Sequence, residues 1–149
     1  MITRRDFVVL ACATASGTVP GVLRATPAAV SEAIRAITGG AQARRGRVKL
    51  DAPALIENGN SVVLGVTVES PMTQADHVKA IHVFAPMNPL PNMVSVYLGP
   101  RSGRAQFSTR TRVADTQTLV ALAQMSDGSF WSDQVSVVVT IAACLEELK

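Results

Sequence analysis

Aromatic side chains are scarce in this chain, 4% of 149 residues, and cysteines number only two, Cys12 and Cys144. So few cysteines exclude a disulfide-stapled miniature domain. The fold must rest on an aliphatic core, and a 48% hydrophobic composition supplies one. Charged residues are also few, at 17%, which still describes one ordinary globular domain rather than a disordered segment. The longest weakly apolar run, Val8 to Leu23, is broken by Ser16, Gly17, Pro20 and Gly21. It falls short of the roughly 20 residues that a stable membrane-spanning helix needs. The chain has no Gly-rich phosphate loop, Gly-x-Ser-x-Gly elbow or His-Glu-x-x-His helix, so the common phosphate, serine-hydrolase and zinc-protease signatures are missing.

What the N-terminus does contain is Thr3-Arg4-Arg5-Asp6-Phe7 ahead of that apolar run, the pattern of a twin-arginine export signal carried by Arg4 and Arg5. Leu23-Arg24-Ala25 is similar to a small-residue cleavage site, so residues 1–25 read as a removed leader and the periplasm as the destination. Three of the 14 bases (Arg4, Arg5, Arg24) and one of the 11 acids (Asp6) lie in that leader. The remainder carries 11 bases against 10 acids, a net charge of +1, and the case for nucleic-acid binding fails. One basic cluster persists, Arg44, Arg45, Arg47 and Lys49, with no interleaved aromatics; it reads as a solvated loop.

Residues 26–40 read as a short helix, with Thr26 as its cap, Pro27 at the first position and Gly39-Gly40 as its stop. Val30, Ile34 and Ile37 share one face. From residue 41 to 141 the pattern turns to short Val-, Thr- and Ile-rich runs separated by Gly, Pro, Asn and Asp, which predicts antiparallel strands. Seven are expected: Arg47 to Leu50, Ser61 to Glu69, Val78 to Phe84, Met93 to Leu98, Ala105 to Val113, Thr116 to Met125 and Gln134 to Ala142. Alternation in Val62, Leu64, Val66 and Val68, and again in Val135, Val137, Val139 and Ile141, gives half-buried strands. The expected fold is all-β, an immunoglobulin-like seven-stranded sandwich with a short N-terminal helix. The disulfide of antibody domains is impossible with one cysteine beyond the leader.

Candidate chemistry is thin. His77 and His82 are five residues apart, which in a strand puts them on opposite faces, and no further ligands fall at zinc spacing; both read as ordinary surface or interface histidines. Ser126-Asp127-Gly128-Ser129 reads as a turn between strands rather than a nucleophile site. Cys144 is left, close to the C-terminus and alone in an oxidising compartment. On the residues alone it can bond a second chain, carry a substrate as a reactive thiolate, or be buried and inert.

Several stretches together resemble the SoxY family of sulfur carriers. They are Glu57-Asn58-Gly59; Glu69-Ser70-Pro71-Met72-Thr73 with Asp76-His77-Val78-Lys79; and Ile81-His82-Val83-Phe84-Ala85-Pro86-Met87-Asn88-Pro89-Leu90-Pro91. Thr111-Arg112-Val113-Ala114-Asp115-Thr116-Gln117, Ala121 through Trp131, and Val139-Thr140-Ile141-Ala142-Ala143-Cys144 follow in order. The resemblance implies an immunoglobulin-like subunit, not itself an enzyme and without cofactor or metal, that pairs with a second β-sandwich protein, SoxZ. It also implies that Cys144 holds sulfur intermediates in the periplasm. The partners it implies are a haem cytochrome that couples thiosulfate to the cysteine, a dimanganese hydrolase that releases sulfate and, in some organisms, a molybdenum–haem sulfane dehydrogenase. No nucleic acid or stable membrane insertion is expected.

The family tail reads Gly-Gly-Cys-Gly-Gly, whereas residues 142–149 here read Ala142-Ala143-Cys144-Leu145-Glu146-Glu147-Leu148-Lys149. Ala142, Ala143 and Leu145 thus form a stiffer and bulkier carrier arm than glycine would. Glu146 and Glu147 place negative charge near the sulfur, which disfavours the thiolate and repels anionic thiosulfate.

Overall fold

The computed structural model describes residues 26–140. The leader and the C-terminal arm expected from the sequence, with Arg4, Arg5, Ala142, Ala143, Cys144 and Leu145, lie outside the described residues. Thr26 caps helix α1 (Pro27–Thr38) by accepting the Ala29 N–H at 3.2 Å, and Gly39 ends it with φ at 62°, a left-handed conformation suited to glycine. The cap, the first-position proline and the stop are those the sequence predicts.

Eight strands follow: β1 (Val48–Asp51), β2 (Leu55–Ile56), β3 (Val62–Val68), β4 (Val78–Phe84), β5 (Asn92–Tyr97), β6 (Gln106–Thr111), β7 (Gln117–Met125) and β8 (Phe130–Val139). They form two sheets, β1-β3-β6 and β2-β8-β7-β4-β5, and the fold is a β-sandwich with one short N-terminal helix. Every pairing is antiparallel except β2 with β8.

Alternation drives the packing. Val62, Leu64, Val66 and Val68 from β3 face Ile81, Val83, Leu119, Ala121 and Val137 across the sandwich and form one aliphatic core. β4 is buried on nearly every residue because both of its faces are covered. Its outer face, with Phe84, joins Leu122 and Phe130 under Val30, Ala33, Ile34 and Ile37 of α1. The apolar stripe of α1 is therefore spent on the outside of the larger sheet.

Two elements differ from the sequence reading. β2 is an additional strand of two residues, defined only by parallel pairing with the distant end of β8. β8 starts at Phe130 rather than Gln134, because Asp133 occupies an inward position where its Oδ2 accepts the Leu50 N–H at 2.9 Å. That bond ties β1 of one sheet to β8 of the other.

Candidate functional site

The described residues that precede Cys144 most closely in the sequence are the end of β8 and Thr140, and they are held by β2. Val138 N–H donates to the Ala54 carbonyl at 2.8 Å and Thr140 N–H to the Ile56 carbonyl at 2.9 Å. Thr140 Oγ1 also reaches the Glu57 carbonyl at 3.2 Å. On the other side, Val139 N–H donates to Thr116 Oγ1 at 3.0 Å. Thr140, the last described residue, is thus held on the β2 side, and its neighbour Val139 on the Thr116 side.

Three loops gather at this end of the sandwich, 57–60, 85–91 and 111–117, each overlapping a separate matching stretch of the sequence. Gln117 joins two of them. It begins β7 at an inward register shared with Leu119, Ala121 and Ala123, and it is buried. Its Oε1 accepts the Met87 N–H at 2.8 Å, while Nε2 donates to Asn88 Oδ1 at 3.2 Å and to the Asp115 carbonyl at 3.1 Å. Asn88 in turn accepts the Ala114 N–H at 2.9 Å and donates to the Arg112 carbonyl at 2.9 Å. The Val113 N–H reaches the Gly59 carbonyl at 2.8 Å, which brings in the third loop. Two neutral amides therefore satisfy backbone groups of loops that lack regular pairing, the condition for burying such loops. The sequence reading gave neither residue a role. The available signal was a glutamine at an inward position of an otherwise aliphatic strand, which has to find partners.

The opposite end is built from charge and one indole. Ser126–Ser129 is the turn between β7 and β8, with Gly128 at φ 82° and Asp127 Oδ1 accepting the Ser129 N–H at 2.8 Å. Hydrogen bonds from the side chain and backbone of Ser129 hold the Asp127 carboxyl below its usual range. The turn reading of this segment holds, and Ser129 Oγ is occupied in accepting Trp131 Nε1–H at 3.3 Å. The basic cluster is not a free loop, because Arg44 and Arg47 lie over the Trp131 ring at 5.9 and 5.6 Å from its centroid. Arg47 also pairs with Asp76 at 3.3 Å. The aromatic partner that the local sequence lacks comes from β8.

The two histidines are not brought together. His77 precedes β4 and its Nδ1 lies 3.0 Å from the Thr73 carbonyl oxygen. His82 is buried rather than on the surface, since neighbouring side chains cover its ring: its Nδ1 lies 2.8 Å from Ser95 Oγ, and the ring packs against Phe84 and meets Tyr97 edge-on. Burial pushes the His82 pKa below 6.5. Among the described residues no group of three or more His, Cys, Asp or Glu is placed to hold a metal ion, and no helix is long and apolar enough to cross a membrane.

Solved structures share this architecture. A superoxide reductase (neelaredoxin) from Ignicoccus hospitalis aligns with a TM-score of 0.56 at 16% identity, covering 81% of this chain and 98% of that one. A putative superoxide reductase from Thermotoga maritima gives 0.53 at 19% identity, with 66% and 87% covered. The superoxide reductase from Nanoarchaeum equitans gives 0.53 at 6% identity, with 64% and 100% covered. At such identities the likeness is one of fold alone. No curated protein matches the chain. The family model of the sulfur oxidation protein SoxY, in contrast, matches residues 34–144, from the middle of α1 through both sheets to Cys144. The chain belongs to the SoxY family.

Proposed function

We propose that this protein is an exported sulfur carrier, with Cys144 as the covalent attachment point and Ala142, Ala143 and Leu145 as its arm. The observation that carries this reading is the extent of the family match, which runs to residue 144 and so includes the only cysteine outside the leader. The described fold supports it in a second way. A carrier needs a firm root for a reactive end, and β2 and Thr116 hold the strand that precedes the arm. The twin arginines, Arg4 and Arg5, support export to the periplasm. A SoxZ-like sandwich subunit, a haem cytochrome, a dimanganese hydrolase and a molybdenum–haem dehydrogenase are the partners that family membership suggests.

The chemistry asked of Cys144 is S–S bond formation. As a thiolate it attacks a polysulfide sulfur, takes up sulfane sulfur and releases a shorter polysulfide, with no net oxidation. Joining it to thiosulfate removes two electrons, the task of the haem partner. Incubating the purified chain with polysulfide is expected to add whole sulfur atoms to the peptide containing Cys144, read by mass spectrometry. Adducts of equal yield in Cys144→Ser would overturn the assignment.

A second reading has its own support in the replaced glycines and in Glu146 and Glu147 beside the sulfur. Here the domain keeps its partner surface while Cys144 forms an intermolecular disulfide. A disulfide dimer on non-reducing gels that persists in polysulfide, with no adduct, would favour it.

A further inference from the structure

The arginine end of the sandwich carries more charge than its own fastening uses. Beyond residue 25, four of the 11 bases fall within residues 44–49, and the other seven face ten acids. The chain is therefore close to neutral as a whole and positive at one place. Three acids near that place are engaged: Asp76 pairs with Arg47 at 3.3 Å, Asp127 Oδ1 accepts the Ser129 N–H, and Asp133 Oδ2 accepts the Leu50 N–H. Arg44 and Arg45 are exposed, and among the described residues neither has a carboxylate partner.

Both arginines are held in position. Arg44 joins the margin of the larger sheet as a parallel bridge to Trp131, its N–H donating to the Phe130 carbonyl at 2.9 Å and its carbonyl accepting the Ser132 N–H at 2.8 Å. Arg45 Nη2 donates to Gln134 Oε1 at 3.3 Å. Gly46, with φ at 132°, takes a backbone conformation that side chains rarely adopt, and it lets Arg47 come back over the same indole as Arg44. A guanidinium lying over a ring keeps N–H groups free at its edge, and ordering it in advance lowers the cost of binding a carboxylate. Beside Arg44 a cleft of about 460 Å³ opens between residues 41–44 and 128–130, with Ala41, Ala43 and Phe130 as its apolar part and Gln42 and Ser129 as its polar part.

We propose that this end docks a segment of a partner protein in which carboxylates flank an apolar residue. The carboxylates meet Arg44 and Arg45, and the apolar side chain enters the cleft. Nucleic acid fits less well, because the chain's single indole packs on the core and lies under two guanidinium groups rather than open to a base. An anionic bilayer fits less well too, since two free cations at about 1 kcal/mol each are too few to hold a domain on it. The surface is at the end where β8 begins, so the proposal does not depend on the carrier reading of Cys144.

The test is fluorescence polarisation of a labelled pentapeptide, four carboxylates around one phenylalanine, titrated with the full chain at low ionic strength. Arg44→Gln with Arg45→Gln is expected to weaken binding about tenfold or more. Arg110→Gln with Arg112→Gln removes the same charge elsewhere and should change binding less than about twofold. Serine in place of the phenylalanine should cost about three- to tenfold. If the first double variant does not fold, Arg45→Gln alone leaves Arg44 over Trp131 and should still weaken binding about threefold. Equal losses in the two double variants, or a serine peptide that binds as well as the phenylalanine one, would overturn the proposal. So would tighter binding of a single-stranded oligonucleotide or of phosphatidylglycerol vesicles through the same two arginines.

Discussion

The two ends of the sandwich are fastened by different chemistry. At the end where β8 finishes, the fasteners are neutral: Gln117 and Asn88 satisfy backbone groups of two loops, and β2 and Thr116 grip the end of β8. At the other, they are charged: Arg44 and Arg47 over Trp131, with Arg47 paired to Asp76. Neutral amides in a buried site respond little to salt or pH, whereas half-exposed guanidinium and carboxylate groups are screened by both water and ions. The contrast teaches that the end where β8 finishes is held by contacts that change little with salt or pH, and the end where β8 begins by contacts that change more.

Substitutions can separate the ends. Trp131→Ala is expected to have the largest effect, lowering stability by about 3 kcal/mol in urea unfolding through lost packing and lost cation–π contact. Sulfur loading of Cys144 by polysulfide should survive it in conditions where the protein stays folded, and loss of loading would break the proposed independence. Gln117→Leu comes next, at about 2 kcal/mol, because it leaves the Met87 N–H and the Asp115 carbonyl without their side-chain partner. It should also raise amide exchange in residues 85–91 and 111–117 while leaving 70–77 unchanged. An exchange change at both ends would sink the distinction.

A smaller effect comes from His82. Burial lowers its pKa in the folded protein, so the unfolded chain takes up the proton first as pH falls. Stability is therefore full above about pH 6.5 and declines as pH drops through that value towards the folded pKa, at no more than about 1.4 kcal/mol per pH unit for one proton. Thermal melts from pH 7.5 down to 5.5 should show that decline in the wild type and a shallower one in His82→Gln. Least affected should be Asp76→Asn, at about 0.5 kcal/mol or less and vanishing in high salt, since both members of its ion pair are partly exposed.

Local pattern made much of this fold readable. Thr26, Pro27 and Gly39 mark the helix because capping and left-handed backbone are properties of single residues and their immediate neighbours. The alternating valines of β3 mark a strand for the same kind of reason. β2 was invisible, since two residues have no periodicity and their pairing is to a strand some 80 positions later in the chain. The start of β8 was hidden by Asp133, whose inward carboxylate makes sense only once Leu50 is opposite it. Likewise the basic cluster looked solvated until Trp131 was placed beneath it. Of the candidate site, Cys144 stands out in the sequence as a lone thiol and by resemblance, whereas the amide network of Asn88 and Gln117 required knowing which loops meet.

The order of the larger sheet has a consequence for how the chain is made. β8 is the last strand in chain order among the described residues, yet it lies inside the sheet, with β2 on one side and β7 on the other. A nascent chain lacking Phe130–Val139 is missing an interior plank, with β2 unpaired, Trp131 absent from under the arginines and Leu50 without Asp133. Contacts of such wide separation in sequence are slow to form, so the domain should close only once β8 is available, and as a whole.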